Sequence, residues 1–251
     1  MLTMARTRCL GHGFPADDRP DQDSPPYDHT VAAPQHSPAV EDYLETIYEL
    51  EESGVPVMRA RLVERLGVSA PTVSETVARL EREGFLSLDQ QRVVRLTERG
   101  RHAATGVMRR HRLAERLLVD VLGVPWHQVH EEAHRLEHAI SDTLEPYLVK
   151  LLGDPGTCPH GNPIPGSVNV ADLAGQVPLT DLADGEHAVV RRIDEEVEAQ
   201  HPAMVALEEQ ALMPGCAVQV TGRDDEVLCL SAAHGPAQLS LAVAAKVYAT
   251  R

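Results

Sequence analysis

Apolar residues return every three or four positions over the first ordered-looking stretch of the chain. Val40, Tyr43, Leu44, Ile47, Tyr48 and Leu50 form one broad stripe, which predicts an amphipathic helix. Ser37-Pro38 offers an N-cap followed by proline at the first helical position, and Gly54-Val55-Pro56 ends the run, so the helix is expected over 37–53. A short helix over 59–66 stops at Gly67, and Ser69 caps a third helix over 70–83 that stops at Gly84. Helix, Gly-containing turn, helix is the helix-turn-helix arrangement. Two short alternating runs, 85–88 and 93–96, flank Asp89-Gln90-Gln91-Arg92 and read as a hairpin, the wing.

Beyond the wing the period stays helical. Thr97 caps a long helix to about position 122, with Val107, Met108, Leu113, Leu117 and Leu118 as its apolar stripe and Gly123-Val124-Pro125 as its stop. Further helices are expected over 126–144 and 146–152, with amphipathic faces suited to a dimer interface. A Gly- and Pro-rich loop follows to about 184. The pattern then changes to strands over 186–193, 217–221, 226–231 and 239–243, with one helix over 202–212. The expected fold is mainly α: a winged helix-turn-helix, a helical dimerisation domain and a small β-rich domain of the SH3 type. The expected boundaries are 1–36 for a polar, Pro-rich disordered extension, 37–104 for the winged helix, 105–166 for the helical domain, 167–184 for a linker and 185–251 for the β-rich domain.

Charge changes the picture. The net charge of −15 argues against nucleic acid, but positions 59–112 hold 12 arginines against 6 carboxylates. A basic block in an otherwise acidic chain is the footprint of a DNA-binding module; a solvated arginine-rich surface is the alternative. No apolar run is long enough for a membrane span and no signal-peptide core is evident, so a cytoplasmic protein is expected. The four cysteines, Cys9, Cys158, Cys216 and Cys229, form no CxxC pair, so neither a disulfide scaffold nor a cysteine zinc site is expected.

The stretch from His130 to His138 carries the chemistry. On a helix, His130, His134, Glu137 and His138 fall within about 100° of arc, a face of imidazole and carboxylate donors suited to Mn, Fe, Co, Ni or Zn. His111 and Glu115 lie one turn apart on the preceding helix, either as further donors or as a surface ion pair. Asp42 and Glu45 are one turn apart on the first helix, either as donors or as a solvated acidic edge. The three helices could converge as carboxylate–histidine bundles do. A competing reading is enzymatic. His130-Glu131-x-x-His134 satisfies the zinc-protease signature, with Glu131 as base, and His134 to His138 satisfies its inverse. That zinc metallohydrolase leaves the helix-turn-helix and wing without a role.

These residues resemble the diphtheria toxin repressor family of iron- and manganese-dependent regulators. The resemblance runs from about Val40 to Gly166, through the stretches 43–50, 71–77, 108–118, 137–142 and the Gly161-Asn162-Pro163-Ile164-Pro165-Gly166 run. It implies a metal-activated, non-enzymatic repressor of metal-homeostasis genes that binds double-stranded operator DNA as a homodimer. The C-terminal module resembles the family's SH3-like (FeoA-like) domain more loosely. Two metal sites are implied: a primary one from Asp42, His134, Glu137 and His138, and an ancillary one from His111, Glu115 and His130. Where some members complete the ancillary site from the third domain, this chain has Gln200 and Ala203, though Glu198 or His201 could substitute. Iron-responsive members have Met and Cys at the positions of Asp42 and His134. Manganese-responsive members have Asp at the first, and Glu at those of Glu45 and His134. Loss of both sulfurs favours Mn(II), with Fe(II) next and other divalent ions open to an all-N/O site. The resemblance also places Ser69, Pro71 and Glu75 at the start of a major-groove helix. Thr72, Ser74, Arg59, Arg79 and Arg82 could reach phosphate, and Arg92 at the wing tip the minor groove. Glu75 could accept a bond from cytosine or be a plain surface charge.

Overall fold

A computed structural model describes residues 36–251. The extension expected over 1–36 lies outside them, except for His36. α1 (Pro38–Glu52), α2 (Arg59–Leu66) and α3 (Ala70–Arg82) form the three-helix part, and β1 (Leu86–Leu88) pairs antiparallel with β2 (Val94–Leu96) as the wing. Leu44, Ile47, Leu62, Val73, Val77 and Leu80 are buried in one core, so the stripe read from spacing is the packed face. Ser69 caps α3 by accepting from the Thr72 amide at 3.3 Å. Ser37 occupies the N-cap of α1 without a side-chain bond; Pro38 makes the start there, since it presents no amide to satisfy.

α4 (Glu98–Arg116) begins at Thr97, whose hydroxyl accepts from the Gly100 amide at 3.0 Å. The expected helix to 122 ends its regular part at Arg116 and continues as a π-helical turn, Leu117–Val121. The single helix expected over 126–144 is broken. Trp126–Gln128 is a 3₁₀ turn, α5 spans Val129–Leu136, and Glu137–Ala139 is a second 3₁₀ turn. The tighter turn shifts Glu137 and His138 away from ideal α-helical positions. α6 (Glu145–Leu152) follows. Ala114, Leu118, Val129, Ala133, Ile140 and Leu148 make a small core among these helices.

The C-terminal body is a six-stranded antiparallel sheet with two bulged registers. Its strands are β3 (Val177–Pro178), β4 (His187–Ile193), β5 (Ala217–Arg223), β6 (Val227–Ala232), β7 (Gly235–Ser240) and β8 (Val247–Thr250), in the order β3-β8-β4-β5-β6-β7. Spacing alone did not reveal β3 and β8, and it displaced β7: residues 241–244 are the short helix α9 (Leu241–Ala244). α7 (Glu195–Glu198), also unforeseen, and α8 (His201–Glu209) follow β4. Trp126 packs into this body's core and its indole donates to the Pro159 carbonyl at 3.2 Å. Arg112 is fully buried and ties three segments, donating to Glu52 of α1 at 2.5 Å, Glu195 of α7 at 2.9 Å and the Pro163 carbonyl at 2.5 Å. Ser53 donates to Asp194 at 2.9 Å. The winged helix, the helical body and the sheet are therefore joined by charged groups with matched partners, an arrangement whose loss on one side leaves an uncompensated buried charge.

The wing meets α4 at Gly100. A Cβ there would stand 1.9 Å from the Phe85 carbonyl oxygen, which is backbone and cannot move aside locally. Gly100→Ala should therefore destabilise the protein by about 1–3 kcal/mol, the range for overpacking a close contact. Urea unfolding of the variant against the parent measures it; equal midpoints would contradict the close approach.

Candidate metal centre and DNA-binding face

Three segments far apart in sequence bring their polar side chains to one seam. α1 contributes Glu41, Asp42 and Glu45. α4 contributes His111 and Glu115. α5 and the 3₁₀ turn after it contribute His130, His134, Glu137 and His138. Asp42, His134, Glu137 and His138 offer ligand atoms all within 4.8 Å of one another. His138 Nε2 lies 3.2 Å from Asp42 Oδ1 and 3.5 Å from Glu137 Oε1. Glu45, His111, His134 and Glu137 form a second such set, and His111, Glu115 and His130 a third. Every metal-site residue expected from the sequence belongs to at least one set. Glu45, His111 and Glu115 are buried, so neither the acidic edge nor the surface ion pair describes them.

The third set is wider than expected. Glu198 of α7 places Oε2 3.4 Å from His130 Nδ1 and 2.8 Å from His160 Nδ1. His160 Nδ1 is also 3.2 Å from Glu115 Oε1, and Cys158 joins Glu115 and His160 within the same 4.8 Å limit. So Glu198 reaches the seam. Its alternative, His201, is exposed and its ring lies beside His127 at 5.2 Å, while Gln200 bonds back to the Glu196 carbonyl. Asn162 orients Glu198, donating to Oε1 at 2.6 Å and to the Ile193 carbonyl at 2.8 Å. Gly161 permits this contact: at φ +91° it brings its Cα so close that a Cβ would meet the Arg191 carbonyl oxygen at 1.9 Å.

Glu41, Cys158, His160 and Glu198 are thus the residues that spacing did not assign. Cys158-Pro159-His160 carries the signal as two donors separated by one residue, a spacing outside the CxxC pattern. Glu41 is buried, accepts from His138 Nδ1 at 2.7 Å and from Arg110 at 3.0 Å, and so turns His138 Nε2 toward Asp42. A carboxylate behind a ligating imidazole fixes its tautomer and orientation.

The donor set fits a divalent transition ion. Asp42 Oδ1, Glu45 Oε1, His111 Nε2, both Glu115 oxygens, His130 Nδ1, Glu137 Oε1, His160 Nδ1 and Glu198 Oε2 are buried and have no hydrogen-bond partner in the protein. Buried polar atoms of this number are costly unless something satisfies them, and divalent ions held by these oxygen and nitrogen donors would do so. The titration behaviour follows from the same crowding. Contacts with Glu137 and Glu45 hold His134 at about 10, and those with Asp42 and Glu41 hold His138 at about 10. Burial pulls His130 down, but Glu115 and Glu198 outweigh it and leave it at about 9. Burial pushes Glu137 up, but His111 and His134 bring it down to about 2. Burial and the neighbouring Glu137 push Glu45 up to about 7.

His130 and His134 belong to no common donor set among the described residues, and Glu131 is exposed, 3.8 Å from Arg135. The zinc-protease signature needs both histidines on one ion, so that reading loses its geometry.

Ser69, Pro71, Thr72, Ser74 and Glu75 are exposed at the start of α3, with Arg82 exposed and Arg79 half-buried further along. Thr72 Oγ1 shares a 2.8 Å hydrogen bond with Ser69 Oγ. Arg59 is half-buried at the start of α2. Arg92 is exposed at the wing tip with φ +61°, a left-handed turn residue.

The raised imidazoles make metal loading a proton exchange. His130, His134 and His138 carry protons at neutral pH that a metal must displace, so affinity should rise with pH from about 7 until it levels off near 10, by roughly tenfold per unit for each proton displaced. In the metal-free protein the sign reverses: each raised imidazole stabilises fully below its unfolded value near 6.5, and that contribution is lost as pH rises through 9–10. Mn(II) titrations at several pH values, paired with metal-free melting curves, check both; a pH-independent affinity would contradict the ligand assignment.

Comparison with known proteins agrees with the geometry. The family description "Iron dependent repressor, N-terminal DNA binding domain" matches residues 36–94, and "Iron dependent repressor, metal binding and dimerisation domain" matches 97–166. The iron-dependent repressor IdeR of Mycobacterium tuberculosis is 49% identical over 189 residues, covering 72% of this chain and 82% of the relative. The diphtheria toxin repressor of Corynebacterium diphtheriae is 43% identical over 194 residues, covering 74% and 86%. A solved manganese-dependent transcriptional repressor in complex with manganese superposes with a TM-score of 0.76 at 33% identity, covering 84% of this chain and 99% of that one. With a winged helix joined to a helical body at a seam of metal-type donors, and relatives that are repressors rather than enzymes, this chain belongs to the family of iron- and manganese-dependent transcriptional repressors.

Proposed function

We propose that this chain binds double-stranded operator DNA as a homodimer when loaded with a divalent metal, Mn(II) first and Fe(II) second. One observation carries the reading. Asp42, on the DNA-binding body, shares a donor set with His134, Glu137 and His138 of the helical body. An ion held there ties the two bodies together. If the tie favours the spacing at which two winged helices meet two half-sites, metal and operator strengthen each other's binding. The oxygen and nitrogen donors of this set include no sulfur, which favours Mn(II); His134 keeps Fe(II), Ni(II) and Zn(II) open. Glu41 orients His138, and Asn162 orients Glu198.

A dimer surface is available on the helical body. Val121 and Leu122 after α4, and Leu144, Tyr147 and Leu151 on and beside α6, are large, apolar and exposed. An apolar cluster of this kind is a characteristic of protein–protein contacts. In the DNA complex α3 enters the major groove with Ser69, Pro71 and Glu75 nearest the bases. Thr72, Ser74, Arg59, Arg79 and Arg82 meet phosphates, and Arg92 reaches the minor groove. The site of action is the cytoplasm; among the described residues no helix is long and apolar enough to cross a membrane.

A duplex selected from a random pool with the Mn(II)-loaded protein provides the probe. Its retardation in a gel should vanish with EDTA and return with Mn(II), and Asp42→Ala should abolish the stimulation while the variant stays folded and dimeric. Retardation indifferent to EDTA would mean a winged-helix regulator without metal control. Activation by Fe(II) at lower free concentration than Mn(II) would overturn the metal preference. Arg82→Ala should weaken binding to all sequences alike and lower the salt slope by about 1, whereas Glu75→Gln should change base preference at one position by about 1–3 kcal/mol. Selection of the same sequences by the Glu75 variant would make it a plain surface charge.

A further inference from the structure

The wing ends in a short loop whose backbone is unusually well bonded. Its base is fixed: Leu86, Val94 and Leu96 lie in the winged-helix core, and the Val94 amide donates to the Val57 carbonyl at 2.9 Å, just before α2. At the tip, the Asp89 amide donates to the Val93 carbonyl at 3.1 Å and the Arg92 amide to the Asp89 carbonyl at 2.9 Å, which closes a β-turn. The Asp89 side chain adds two bonds. Its Oδ1 accepts from the Gln91 amide at 3.0 Å and from the Val93 amide at 2.8 Å. Its Oδ2 faces Arg95 at 3.6 Å. The loop is thus Gln90, Gln91 and Arg92, and all three are exposed.

A three-residue hairpin loop closes with a left-handed residue, and glycine is its ordinary occupant. Eleven described glycines have positive φ against three other residues, so the chain mostly follows that rule, and Arg92 at φ +61° departs from it. A long side chain in this region strains the backbone and persists only where neighbouring bonds hold it. Here the bonds to Asp89 do so. The Arg92 guanidinium has no partner among the described residues, so no contact within the protein accounts for an arginine in a glycine's place. We propose that Asp89 is a positioning residue for DNA recognition, holding the left-handed turn that presents Arg92 to the minor groove. This inference rests on the operator-binding reading above. Asp89 itself carries the wrong charge for phosphate, so its contribution is geometric. An arginine on a fixed turn loses less freedom on binding than one on a mobile loop, and a narrow A·T minor groove attracts its charge.

Fluorescence anisotropy of the selected duplex with the Mn(II)-loaded full-length protein, over a series of salt concentrations, tests the role of Asp89. Arg92→Gly should bind roughly tenfold more weakly, with a salt slope lower by about 1, yet unfold in urea no earlier than the parent, since glycine accepts the turn. Asp89→Ala should lose affinity and slope to a similar extent. Asp89→Asn keeps the Oδ1 acceptor but not the charge or the Arg95 pair, and should bind at least as tightly as the parent. In the Arg92→Gly background, Asp89→Ala should change affinity by less than about twofold, because the residue it positions is gone. Parent-like binding by Arg92→Gly would overturn the proposal while leaving operator binding standing. So would equal losses from Asp89→Ala in both backgrounds, or an Asp89→Asn variant as weak as Asp89→Ala. A parent protein that shows no Mn(II)-dependent binding would overturn the operator-binding reading itself, and the role of Asp89 with it.

Discussion

The cost of crowding carboxylates and imidazoles into one buried seam governs this structure. Glu45, His111, Glu115, Glu137, His160 and Glu198 are buried in one seam, and several of their polar atoms find no hydrogen-bond partner in the protein. Apolar residues in those places would make a tighter core with no such penalty. The helices that carry these residues are well anchored elsewhere: α1 by Leu44 and Ile47, α5 by Val129 and Ala133. The fold can therefore hold a locally unfavourable set of donors in place. Such a set is useful to a protein whose stability and shape should respond to a cation.

The same seam explains the order of the domains. α1 belongs to the winged-helix core on its apolar face and to the donor seam on its acidic face, through Glu41, Asp42 and Glu45. α4 leaves the wing at Gly100 and ends in the helical body, carrying His111 and Glu115 between them. The C-terminal sheet reaches the seam through Glu198, and Arg112 ties it to α1 and to the Asn162 loop. All three bodies meet at the seam, and each supplies a charged group to it or to the Arg112 contacts beside it. The proposed coupling would need no long pathway, since the donors are themselves the contact between the bodies.

Much of this was legible in the chain. The stripe from Val40 to Leu50, the caps at Ser69 and Thr97 and the Gly67 and Gly84 stops predicted helices close to those found, because helix period and capping are local properties. The His130–His138 face and the Asp42, His111 and Glu115 donors were visible for the same reason. What was missed depends on tertiary contact. The 3₁₀ turn at Glu137 breaks the ideal helix arithmetic. Glu198 was legible only as an alternative to His201, because it lies on a four-residue helix with no periodicity to read and only packing brings it to His160. Cys158 and His160 sit in an irregular segment whose Gly161 must approach β4 closely. Glu41 is one of several acids on α1, and only its contacts with His138 and Arg110 distinguish it.

On the proposed reading, the metal seam and the DNA-binding face share one equilibrium. Linkage makes this measurable without reference to any gene: if metal strengthens operator binding by a given factor, the operator must strengthen metal binding by the same factor. Mn(II) affinity should therefore be measured with and without the selected duplex at one salt concentration. Mn(II) should bind more tightly in the presence of the duplex, by a factor equal to the gain in DNA affinity that Mn(II) confers. An Mn(II) affinity unchanged by the duplex would contradict it.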